Sequence, residues 1–195
     1  MSNPVSDGER VKQLIYDWLN KNCAVGPKWE LLSPLPLEIK MLPAFSDIEY
    51  NLGNGTWTQF LWNCFDDWRR IIDVAKEGYF LIGATEQSAA LDTLRALCER
   101  DERECKRMQK LSEKDFERYF GEFISRSDDV PFDREALFYH DSGVDEKRVA
   151  WLKANAARIR KVLRQLQPLK KQAARKKRKV PKKRAVKKPM ARKKR

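Results

Sequence analysis

Residues Asp66–Gln109 read DDWRRIIDVAKEGYFLIGATEQSAALDTLRALCERDERECKRMQ, and how this stretch is read decides the fold. Trp68, Ile71, Ile72 and Ala75 recur at helical spacing, as do Ala90, Leu91, Leu94, Leu97 and Cys98 further on. Between them lies YFLIGA, the best short strand candidate in the chain. It is bounded by helical patterns on both sides and followed by Gly83, so it predicts the end of one helix rather than a strand. Thr85 is the expected cap of the next helix, whose later, almost wholly charged turns are expected in solvent.

The same period extends outward. Val11, Leu14, Ile15, Trp18 and Leu19 lie on one face of an amphipathic helix, with Ser6 or Asp7 as its N-cap. Pro27, Pro34, Pro36 and Pro43 predict a loop and then a short or kinked helix over Leu35–Tyr50, because each proline removes a backbone donor. Thr56 is placed to cap a helix carrying Trp57, Phe60, Leu61 and Phe65. Ser112 and Asp115 resemble a weakened capping box ahead of a Phe116, Tyr119, Phe120, Phe123 stripe. A last helix from about Asp145 to Gln167 carries Val149, Leu152, Ala156, Ile159, Leu163 and Leu166, a stripe that fits either the domain or another helix. The expected fold is all-α, a compact bundle of five to seven helices. It divides into a helical domain over 1–143, an amphipathic basic helix over 144–168, and a disordered Lys/Arg-rich tail over 169–195.

Charge is split along the chain. The net charge is +13, yet residues 1–150 carry −8 and residues 151–195 carry +21, with no acid after Glu146. The tail places Lys170, Lys171, Arg175, Lys176, Lys177, Arg178, Lys179, Lys182, Lys183, Arg184, Lys187, Lys188, Arg192, Lys193, Lys194 and Arg195 among Ala, Val, Pro, Gln and Met, without an aromatic residue. Such an arm neutralises phosphates and releases counterions without reading base edges, which suits DNA or RNA backbones. An acidic lipid surface or an acidic protein would also attract it. KKRKVPKKR looks like a nuclear import signal, meaningful only in a eukaryotic cell. The clusters Glu99–Glu104, Glu113–Glu122 and Asp128–Glu135 make the body itself a further polyanion for the tail.

Catalytic signals are sparse. His140, beside Asp141, is the one histidine, and a sequence neighbour cannot supply the positioned nucleophile it would need. Asp66/Asp67 and Asp128/Asp129 are adjacent pairs, which do not face each other on a helix. There is no P-loop, GxGxxG or HExxH motif. Cys23, Cys64, Cys98 and Cys105 are far apart with no CxxC, so they are expected as free thiols in a reducing, intracellular setting rather than as zinc ligands. The N-terminus lacks the apolar core of a signal peptide, and no apolar run is long enough to span a bilayer. No enzyme activity, cofactor or metal is expected. Trp57 and Trp68 are expected in the core, and Trp62 is a candidate surface aromatic.

Glu49, Asn51, Gly55, Trp57, Gln59, Phe60 and Asn63, followed by LIGATEQSAALDTL with Gly83, resemble the C-terminal domain family of bacterial DNA-mimic proteins over roughly residues 47–94. NLGNGTW is longer than the family's Asn-Asn-Gly-Gly-Phe turn, and Trp replaces Phe. The resemblance implies a compact helical bundle without enzymatic activity. The family's namesake occupies the DNA-binding surface of a transcription factor, a function of carboxylate placement that does not travel with a core motif. Read without the family, Gly53 and Gly55 permit positive φ in a tight turn, and the amides of Gln59 and Asn63 share a helix face and can satisfy that turn's open backbone groups. The sequence therefore supports a non-enzymatic, nucleic-acid-associated protein: a tail binding phosphate and a mildly acidic domain binding protein. A DNA mimic and a nuclear-targeted effector or viral protein are the alternatives. Localisation would be cytoplasmic and nucleoid-associated in a bacterium, nuclear in a eukaryotic cell.

Overall fold

The computed structural model describes residues 5–23, 29–111, 115–139 and 142–166. His140, Asp141, Ser112 and every basic residue of the tail from Lys170 to Arg195 lie outside the described residues. Among those described there are helices and turns and no strand: α1 Asp7–Asn22, α2 Trp29–Leu32, α3 Leu37–Asn54, α4 Trp57–Asn63, α5 Trp68–Leu81, α6 Thr85–Gln109, α7 Phe116–Ile124, α8 Arg126–Asp129, a 3-10 turn at Glu135–Phe138, α9 Val144–Ala154 and α10 Ala156–Gln165. The all-α expectation holds.

The α5–α6 corner bears out the reading of YFLIGA. Gly83 adopts φ 76°, its N–H donates to the Phe80 carbonyl, and the Ala84 N–H donates to the Tyr79 carbonyl. This is a Schellman motif, and the left-handed residue at its C′ position favours glycine. Thr85 is not the cap: Ala84 occupies that position, and no side chain caps α6. At the head of α1, Ser6 does cap, accepting from the Glu9 N–H at 3.2 Å.

Packing centres on α3, which lies against α5, α4 and the 3-10 turn. It runs on past Pro43, which is buried within it. Gly78 lets α5 close on α3: an added Cβ would stand 2.8 Å from Met41 Cβ and from a Phe45 ring atom. That closeness stacks Phe45 on Tyr79 with centroids 4.1 Å apart. Fully burying a large apolar side chain contributes about 1.5–3 kcal/mol, so this crossing is a main seat of stability.

Gly53 and Gly55 do not serve as predicted. Gly53 lies inside α3, and Gly55 has φ −162°, ordinary extended backbone. The described positive-φ residues are Gly83 and Gly143, the latter at the head of α9. The later turns of α6 are also not solvated throughout, because Cys98, Asp101, Cys105 and Met108 continue its buried stripe. The last helix breaks at Asn155 into α9 and α10, and both pack on α1. Gly8 permits this approach, since a methyl group there would overlap the Val149 carbonyl.

Candidate functional site

The resemblance residues other than Glu49 and Gly83 fall into three groups. Trp57 and Phe60 are fully buried, and the Trp57 indole N–H donates to the Val130 carbonyl at 2.9 Å. Asn51 and Asn63 meet across the α3–α4 corner: Asn63 Nδ2 donates to Asn51 Oδ1 at 2.8 Å, while Asn51 Nδ2 donates to the Asp47 carbonyl at 2.6 Å. Gln59 packs against Gly55, where an added Cβ would collide with its side chain. Trp57, Phe60, Asn51, Asn63 and the turn residue Gly83 thus hold helices in place. The expected role of the Asn63 amide changes, because it serves a side chain on α3 rather than the turn backbone.

Glu49 stands apart. It accepts from the Tyr79 hydroxyl at 2.8 Å and from Arg148 of α9, and Arg148 also reaches Asp145 at 3.1 Å. Lys12 of α1 donates to Asp145 at 2.9 Å. This chain of charges borders a cavity of about 400 Å³ closed by Phe138, Tyr139 and Val144. Burial lifts the Glu49 carboxyl above the usual carboxylate range, against the pull of Arg148. Every charge in the chain has an opposite neighbour, so the arrangement ties α9 to α1 and α3.

A second cavity, of about 510 Å³, is different in character. Asp47, Asp66 and Asp67 face it, with Trp29, Trp62 and Phe65 among its walls. Asp47 accepts from the Trp29 indole N–H at 2.9 Å. Burial pushes its carboxyl up, the indole bond opposes this, and the charge of Asp67 adds to it. Asp67 pairs with Arg70 at 3.0 Å, whereas among the described residues Asp47 and Asp66 have no ion pair. Trp62 is not the surface aromatic the sequence suggests: it is 7% exposed and lies under Phe116, Phe120 and Phe123. Trp57 and Trp68 are core residues as expected.

The remaining charges divide between matched and unmatched. Between α5 and α6, Arg69 pairs with Glu102, Asp73 with Arg95 and Lys76 with Asp92, while Glu77, Glu86 and Glu99 on these helices are exposed with no ion pair among the described residues. Asp115, Glu117, Asp128, Asp129 and Asp133 are exposed and have no ion pair among the described residues. The four cysteines are free. Burial raises the thiols of Cys23, Cys64 and Cys98 and pushes Cys105 up to about 12, so none is primed as a thiolate. Among the described residues, no cluster of His, Cys, Asp and Glu is suited to a metal, and no helix is long and apolar enough to cross a membrane.

The arrangement is that of an all-α protein whose buried motif residues are structural and whose open chemistry lies in surface carboxylates. A family model described as DMP19-like protein matches residues 33–155. The chain belongs to that family, and the match extends beyond the 47–94 resemblance on both sides. No curated protein and no solved structure matches the chain.

Proposed function

We propose that the folded body is a non-enzymatic protein-binding module of the DNA-mimic kind, which offers carboxylates to the basic, DNA-binding surface of another protein. Membership of the DMP19-like family supports this reading. The observation that carries it is the set Asp115, Glu117, Asp128, Asp129 and Asp133, five exposed carboxylates within residues 115–133 that have no ion pair among the described residues. Unpaired surface carboxylates cost little in a monomer and favour association with a positive patch through steering and complementarity. The test is binding of the protein to DNA-binding proteins of its source, in competition with duplex DNA. Duplex should displace it, and D128N/D129N/D133N should weaken binding at least about tenfold, or 1.4 kcal/mol. Binding that duplex leaves untouched sinks the mimic reading.

The tail favours a second activity beside the first. Sixteen of residues 170–195 are Lys or Arg, and none is acidic. If about eight of those charges engage duplex phosphates, log K falls with log salt at a slope near −7. A chain ending at Leu169 should lose that slope; if it binds DNA as the full chain does, the tail addresses something else. On this reading the protein works beside the nucleoid in a bacterium, or in the nucleus of a eukaryotic host.

A further inference from the structure

The cavity bounded by Trp29, Asp47, Trp62, Phe65, Asp66 and Asp67 combines two features that select for a cation. Its carboxylates are under-compensated among the described residues: there Asp47 has only the neutral Trp29 indole as its side-chain partner, Asp66 has no ion pair, and Arg70 neutralises Asp67 alone. Trp29, Trp62 and Phe65 line it beside the carboxylates, so an ammonium or guanidinium entering it pairs with carboxylate in partly desolvated surroundings. By contrast, Asp73, Asp92 and Glu102 on α5 and α6 already hold partners.

We propose that this pocket is the docking site of the chain's own basic segment, residues 170–195, which places a Lys or Arg side chain between the aromatic walls and against Asp47 and Asp66. Charge complementarity favours that occupant, since the segment carries sixteen cations and no acid. Reach allows it as well. The 29 residues after Leu166 span at most about 95 Å, while a folded body of this size has a radius of gyration of about 15 Å. A tethered segment also meets the pocket at an effective concentration in the millimolar range, which a free basic partner seldom matches. Docking lowers the negative charge of the body and occupies cations that would otherwise contact phosphate, so body and nucleic acid compete for one arm. The inference does not depend on the mimic reading, because it requires no protein partner.

The test uses the full chain, dilute and without DNA, treated with a zero-length carbodiimide that joins Lys ammonium groups to carboxylates. Amide links from tail lysines to Asp66 or Asp67 in the monomeric product are expected, and 0.5 M salt or excess duplex should suppress them about fivefold. Links spread over exposed acids in proportion to exposure, links found only in covalent dimers, or no link to the pocket would each overturn the proposal. Independently, D47N/D66N should bind duplex at least about threefold tighter than the parent, beyond any change in E77Q/E86Q, which removes the same charge elsewhere. Equal changes in the two variants would mean general electrostatics and not a docking site. Far-ultraviolet circular dichroism confirms that each variant is folded, and the crosslink map of the parent needs no variant.

Discussion

Arg148 of α9 reaches Glu49 of α3, 99 residues away in sequence, and its guanidinium also lies over the Phe45 ring at 5.1 Å. The Arg148 side chain is 6% exposed and that of Glu49 is 21% exposed. Removing one partner of such a pair strands the other, and the penalty typically exceeds what the intact pair contributes. Arg148→Met should therefore destabilise by about 3 kcal/mol in urea unfolding at unchanged slope. Glu49 can relieve part of its isolation by taking a proton, which puts the expectation at the low end of the usual range. Arg148→Met combined with Glu49→Gln should recover part of the loss. A double variant no better than the sum of the singles would show that the two residues do not couple.

Two glycines test different physics. Gly83→Ala keeps its surroundings open but forces a side chain into left-handed backbone, with an expected cost of about 1–2 kcal/mol. Gly78→Ala leaves φ unstrained and drives a methyl group into Met41 and Phe45, with an expected cost of about 1–3 kcal/mol from overpacking. Pairing Gly78→Ala with Phe45→Leu, which removes the ring but not Met41 from the path of the methyl group, should recover part of the second loss and leave the first untouched. Rescue of both by one core change would contradict the separate causes.

The helices were legible where apolar residues alone repeat, as with Val11, Ile15 and Leu19 on α1 and Ile71, Ile72 and Ala75 on α5. They were less legible where the buried face uses other chemistry. Asp101 lies in the stripe of α6 because Arg100 and Arg126 bond to it, and Arg126 comes 25 residues later. Trp62 gives no local sign that Phe116 and Phe120 will cover it. The acidic cavity draws Trp29, Asp47 and Gln109 from three separate stretches, and nothing in any one of them announces the others. The Asn51–Asn63 contact, by contrast, joins two residues that the resemblance had already singled out, and the structure supplies only the bond between them.

The paired face of α5 and α6 should be energetically quiet. Arg69 is about half exposed, and Lys76 and Asp92 are exposed to similar or greater degrees. Exposed pairs of this kind contribute about 0–1 kcal/mol. Lys76→Ala and Asp92→Ala should each change stability by less than about 1 kcal/mol. Their effect on charge is larger, because Lys76→Ala frees the Asp92 carboxylate on helices that already carry the unpaired Glu77, Glu86 and Glu99. If the five unmatched carboxylates carry partner binding, Lys76→Ala should leave partner affinity within about twofold, a shift of 0.4 kcal/mol. A gain of tenfold would move the binding surface to α5 and α6.

Asp47 gives the pH dependence its sign. Burial raises its folded-state value above the unfolded value of about 3.9, so the folded protein holds this proton more tightly than the unfolded chain does. Stability from this group is therefore greatest below the unfolded value and falls as pH climbs through the folded value. Asn at position 47 still offers an oxygen to the Trp29 indole and has no charge to bury. Where no cation is docked against Asp47, as in the chain ending at Leu169, Asp47→Asn should then match or exceed its parent in melting temperature at pH 7 and lose that advantage near pH 4. Glu49, raised in the same direction, leaves a residual slope in the variant. In the full chain, docking of residues 170–195 predicts the reverse: a parent that outlasts Asp47→Asn at pH 7 but not at pH 4 would mean that a cation already neutralises Asp47. Repeating the melts on the chain ending at Leu169 then identifies the source: only a cation supplied by residues beyond Leu169 disappears with them.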